Sequence, residues 1–84
     1  MEKTVKEQVV GVIAEQLTRP AEELSLDATF EAVGADSLDR VEIVMKVEEL
    51  FDVELNDDTL ETLPTIGAFA EYVSGVVASS NRAE

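Results

Sequence analysis

The sequence predicts an all-α fold: a small four-helix bundle with a long first loop and a short third helix. Three observations carry this expectation. Apolar residues recur at three- and four-residue spacing in three long segments, and no strand alternation competes with them. Each of those segments opens on a residue suited to capping a helix: Thr4, Asp36 or Thr65. The chain has 84 residues, 45% of them apolar, which suits one small core and a single domain over residues 1–84.

The first helix is expected over residues 4–18. Thr4 and Glu7 have the spacing of a capping box, and Val5, Val9, Val12, Ile13 and Leu17 repeat behind them at helical intervals. Gly11 weakens the helix by roughly 1 kcal/mol relative to Ala, and Pro20 helps to stop it. Residues 19–35, RPAEELSLDATFEAVGA, mix turn and acidic residues with Leu24, Leu26, Phe30 and Val33. A connection this long with no structure of its own is uncommon in a compact domain, so it is expected to be an ordered loop packed over the helices.

Asp36 is a good N-cap for a second helix over 37–51, and Asn56 or Asp57 can open a short third one over 57–63, ended by Pro64. Thr65 can cap a fourth over 65–78, which carries Ile66, Phe69, Ala70, Val73, Val76 and Val77 on one side. Residues 79–84 read as a frayed tail. There is no internal repeat.

Composition narrows the chemistry. With no Cys there is no disulfide, thiolate ligand or cysteine nucleophile, and with no His there is neither a Ser-His hydrolase nor the usual His-containing metal site. Nineteen acidic residues against six basic ones give a net charge of −13. Such a field repels nucleic acid and anionic membranes and favours basic protein surfaces; it also serves solubility alone. No run approaches the roughly 18 consecutive apolar residues a membrane helix needs, and MEKTVKEQVV has no signal core or transit character. A cytoplasmic monomer with no membrane insertion is expected.

The second helix carries two apolar stripes. Counting about 100° per residue from Leu38, the residues Ile43, Val44, Val47, Leu50 and Phe51 fall between about 120° and 240°, the expected core face. Leu38, Val41 and Met45 fall between about 300° and 360°, with Glu42, Glu48 and Glu49 around them. Periodicity leaves two readings of this second stripe. It packs under the first long loop, or it is an exposed docking surface whose apolar residues give affinity while its charges steer a basic partner. Ser37 beside Leu38 favours docking. With Asp36 as cap, Ser37 takes the first helical position with its hydroxyl unengaged, at the positive end of the helix dipole, where a covalently attached phosphate is favoured by roughly 0.3 to 1 kcal/mol.

The string GADSLDRVEIVMKVEELF resembles the prosthetic-group segment of acyl carrier proteins of the bacterial type II fatty-acid-synthesis kind. Its signature is Asp-Ser-Leu after a glycine-containing turn and before an acidic-apolar helix. The resemblance extends through the acidic first helix, FEAVGADSL, FDVELNDD and PTIGAFAEYV, essentially the whole chain. A lone Asp-Ser-Leu recurs by chance, whereas the extended string in helical context is far more specific.

The resemblance implies a non-catalytic carrier. Ser37 would be the attachment point of 4′-phosphopantetheine, transferred from coenzyme A by a separate phosphopantetheinyl transferase, and the arm's thiol would carry growing acyl chains as thioesters in fatty acid biosynthesis. Such an arm supplies the thiol that a chain without Cys lacks. Asp36 would belong to the transferase's recognition motif, near the divalent metal of the transfer. The second helix would be the partner-recognition element, with Leu38, Asp39, Val41, Glu42, Met45, Glu48 and Glu49 meeting basic docking patches on fatty acid synthesis enzymes. The alternative within carriers is a discrete polyketide or peptidyl carrier, or one dedicated to another specialised acyl pathway. A different class is an acidic interaction module whose Ser37 is structural or phosphorylated.

Two features depart from the family pattern. Arg40 and Lys46 place positive charge where relatives often carry uncharged residues, and Arg40 falls at about 200°, toward the core side. Phe69 stands where family members often have something small. The family folds acyl chains between its helices, for which Val47, Phe51, Leu55, Leu63 and Phe69 are the candidate walls here. Residues 52–58, DVELNDD, alternate oxygen ligands like a calcium loop, yet Asp57 replaces the required Gly and Leu63 the bidentate Glu. No high-affinity metal site is expected.

Overall fold

Capping decides where the helices of the computed structural model, which describes residues 4–81, begin. Helix α1 is Val5–Leu17, α2 is Ser37–Phe51, α3 is Asp57–Glu61 and α4 is Ile66–Asn81. Thr4 and Glu7 form a complete capping box on α1, with the Glu7 N–H donating to Thr4 Oγ1 at 3.1 Å and the Thr4 N–H to Glu7 Oε1 at 2.9 Å. Asn56 caps α3 through the Thr59 N–H, and Thr65 caps α4 through the Ala68 N–H. Helix α1 ends on Thr18 in the left-handed region, φ 57°, its N–H returning to Ala14 and Glu15.

The expected lengths need two changes. α3 stops at Glu61, and Thr62 and Leu63 close it with tighter three-residue turns onto Thr59 and Leu60. α4 runs on to Asn81, so 79–81 are helical rather than frayed: the ASSN segment contains no Gly or Pro to halt it. The rest of the expected tail, 82–84, lies outside the described residues.

α1 packs against both α2 and α4. Val9 and Ile13 of α1, Ile43 and Val47 of α2, and Ile66 and Val73 of α4 meet there with no more than 1% of their surface exposed. Burying each such side chain stabilises the fold by about 1.5–3 kcal/mol before entropic costs. Leu50, expected on the core face of α2, is 51% exposed. It lies at the edge of the arc, and the buried strip is narrower, centred on Ile43 and Val47.

The long first loop is ordered, with a short 3-10 turn at Ala21–Glu23 that the periodicity did not reveal. Leu24, Phe30 and Val33 are buried beneath it, and Phe30 meets Phe69 edge to face at 5.7 Å. Leu26 departs from expectation at 51% exposure, because the loop is fixed at that point by its backbone. Leu26 O accepts the Gly67 N–H at 2.8 Å, Ala28 O accepts the Ile66 N–H at 3.0 Å, and Thr29 pairs with Thr65 in an isolated antiparallel bridge. A Cβ on Gly67 would stand 2.9 Å from Leu26 O, so only glycine permits this approach. Arg19 secures the loop's far end, donating to Val33 O at 3.0 Å. The effect is to deliver residues 34–36 to the start of α2.

Candidate functional site

The start of α2 is set by two acids that satisfy each other's backbone. Asp36 Oδ1 accepts the Asp39 N–H at 2.9 Å and Asp39 Oδ2 accepts the Asp36 N–H at 3.2 Å, a reciprocal capping box. Gly34, at φ 90°, provides the left-handed turn into it. Ser37 occupies the first helical position, exposed, and its hydroxyl takes part in none of the hydrogen bonds among the described residues. The acids beside it therefore cap the helix, leaving the serine as the unengaged group.

Asp39 is held further by α1. The Gln16 side-chain amide donates to Asp39 Oδ1 at 3.2 Å and to Glu42 Oε1 at 2.6 Å, while Gln16 Oε1 accepts from Lys46 Nζ at 2.9 Å. The Gln16 contact first, and the Asp36 N–H second, keep the Asp39 carboxyl below its ordinary value. The sequence does not single out Gln16, because a lone amide on a helix carries no periodic signal. It gives Lys46 a structural partner and draws Asp39 and Glu42 toward α1.

Leu38, Val41 and Met45 are 65%, 53% and 54% exposed, in one row along α2, so they do not pack under the first loop. Glu42 and Glu49 are exposed beside them. Glu48 is half-buried, its carboxylate accepting the Leu55 N–H at 2.9 Å and so fixing the turn after α2. The seven candidate docking residues thus divide into a solvent-facing row and two carboxylates, Asp39 and Glu48, with structural bonds of their own.

A groove of about 700 Å³ runs from Ser37 between α2 and residues 54–61, walled by Val41, Val44, Met45, Leu55 and Leu60 and edged by glutamates. Of the expected acyl-pocket walls, only Leu55 lines it; Phe69 lines a separate small void behind it. Val47 is fully buried in the helical core, and Phe51 and Leu63 pack against that core away from both spaces. Val47, at about 180°, faces the helix core, whereas the groove opens near 300°.

Arg40 has a definite place. Its guanidinium lies over the Phe30 ring, 5.0 Å from the centroid, and Nη2 donates to Leu60 O at 3.4 Å. It turns inward, in keeping with its angle, and is half-buried.

The site is thus an exposed serine hydroxyl at a helix start with an adjoining groove. The sequence matches the family described as "Phosphopantetheine attachment site" over residues 7–73. The chain belongs to that family. Its prosthetic group is 4′-phosphopantetheine, and carrier proteins of this kind are modified by phosphopantetheinyl transferases, carry acyl chains and are generally not catalysts. The residues present fit that group: an exposed hydroxyl, the positive end of a fifteen-residue helix for the phosphodiester, and a groove beside it for a neutral arm.

Three solved structures share the fold of this carrier. A free-standing peptidyl carrier protein from a secondary metabolic pathway of Acinetobacter baumannii is 27% identical, with a TM-score of 0.72, covering 83% of this chain and 88% of its own. The oxytetracycline acyl carrier protein is 24% identical, TM-score 0.73, covering 96% and 88% respectively. The HMG-ACPI domain of the CurA module from Lyngbya majuscula is 22% identical, TM-score 0.77, covering 95% and 86%. Among the described residues of this carrier, no helix is long and apolar enough to cross a membrane.

Proposed function

We propose that the protein is an acyl carrier in which Ser37 bears the phosphopantetheine arm and the exposed row of α2 is read by its partner enzymes. The single observation that carries the reading is the unengaged Ser37 hydroxyl, exposed between two acids committed to the helix cap. A chain with neither His nor Cys offers no imidazole base to take the serine proton and no thiol for a thioester. The transferase supplies the base and the arm supplies the thiol. Leu38, Val41 and Met45 provide apolar contact area, and Glu42 and Glu49, with the overall charge of −13, draw in partners with basic patches.

Fatty acid synthesis is the pathway favoured by the resemblance of DSLDRVEIVMKVEE to carriers of the bacterial type II fatty-acid-synthesis kind. A carrier for a specialised acyl pathway is the second reading, supported by the similarity to a peptidyl carrier protein of a secondary metabolic pathway and to the oxytetracycline acyl carrier protein. Intact mass of the protein expressed in its native host separates them. A phosphopantetheine bearing saturated chains of graded length supports fatty acid synthesis, one oxygenated or branched acyl group supports the specialised reading, and mature protein with no arm contradicts both.

A further inference from the structure

Two spaces lie side by side behind Ser37. The open groove has a volume of about 700 Å³, whereas the narrower void among Phe30, Ile43, Phe69 and their neighbours has about 10 Å³. Arg40, Val44 and Leu60 line both, so they form the wall between them. Val44 and Leu60 belong to the packed interior and its margin. Arg40 is the long, movable part of the wall. Its guanidinium rests on Phe30 and bonds to Leu60 O, bridging the first loop and α3 across the mouth of the void. Phe30 is in turn braced edge to face by Phe69.

The inner void is at the limit for one water molecule, which needs roughly 10–15 Å³, and is too small for an alkyl chain. A chain attached near Ser37 would reach the interior through this shared wall, of which Arg40 is the charged part. Ser37 and Arg40 are three residues apart and share one helix face, so the attachment point opens directly onto this side chain. Arginine stays charged at any ordinary pH, and an alkyl chain entering beside it would strip its water while breaking its contact with Phe30.

We propose that Arg40 is a gate that determines cargo specificity, closing the interior to saturated chains so that acyl groups on the arm stay in the open groove. This rests on Ser37 as the attachment point. It favours short or oxygen-bearing acyl groups that remain compatible with water over long saturated chains, and so favours the specialised-pathway reading over fatty acid synthesis.

The test compares wild type with Arg40→Met, which keeps an unbranched side chain but removes charge and planar stacking. Each is loaded with an octanoyl-pantetheine arm, with intact mass read before melting. Octanoyl loading is expected to leave the wild-type melting temperature close to that of the unacylated arm and to raise that of Arg40→Met by on the order of 4 °C. Equal stabilisation of both proteins, or of neither, overturns the gate. Loading that fails altogether contradicts the attachment reading instead. In that event the unmodified proteins under xenon still decide: Ile43 methyl and Phe69 ring signals should shift in Arg40→Met and stay fixed in wild type, and matching responses overturn the gate. If Arg40→Met does not fold, xenon-induced shifts of these signals in wild type alone would overturn it.

Discussion

Ser37 is set apart from its neighbours by bonding rather than by chemistry: Asp36 and Asp39 exchange hydrogen bonds across it, and its own oxygen is left out. The cap makes a pH-dependent contribution. Gln16 and the Asp36 N–H hold the Asp39 pKa below its unfolded value, so the stabilisation is complete above the ordinary carboxylate range and is lost as pH falls through the lowered folded value. The stability difference between wild type and Asp39→Asn should therefore hold steady from about pH 7 to pH 5 and shrink below about pH 4, measured by thermal melts across that range. A difference unchanged to pH 3 would show that Asp39 acts by shape alone. Ser37 and its cap were legible in the sequence because both are local patterns. Gln16 was not, since its partners lie more than 20 residues away along the chain. Arg40's inward angle was readable, whereas its partners Phe30 and Leu60 come from other segments.

Among the helices, α2 serves two masters, with Ile43 and Val47 anchoring it and Leu38, Val41 and Met45 facing out. Replacing Leu38 or Met45 by Asp should leave helicity unchanged by circular dichroism and slow turnover by carrier-dependent enzymes by about tenfold, the effect of losing one apolar anchor. Unfolding would instead mark the row as core. The first loop depends on one close approach. Gly67→Ala pushes a methyl against Leu26 O and should cost about 1–3 kcal/mol in urea unfolding, moving the loop that carries Phe30 and the Gly34 turn. Helix starts were readable from Thr4, Asp36, Asn56 and Thr65, because caps are short-range. The end of α4, the 3-10 turn and the backbone docking of Leu26 were not, since no nearby residue dictates them.

At the scale of the molecule, the charge of −13 sits on a small bundle whose buried core is entirely apolar among the described residues, so its carboxylates are left to the surface. Self-repulsion opposes the compact state and divalent cations should relieve it. Millimolar magnesium is expected to raise the melting temperature more than sodium chloride of equal ionic strength. Equal effects would reduce the charge to ordinary screening. The all-α class was legible because apolar spacing reports helices directly, but the groove was not, since it forms between α2 and a segment whose position periodicity does not encode. The central claim is that the exposed serine carries the arm. Wild type and Ser37→Ala, both folded by circular dichroism, should be incubated with coenzyme A and a phosphopantetheinyl transferase and weighed by mass spectrometry. Wild type should gain one phosphopantetheine and Ser37→Ala none; a variant that still gains the arm, or a wild type that never does, would rule out Ser37 as the attachment point.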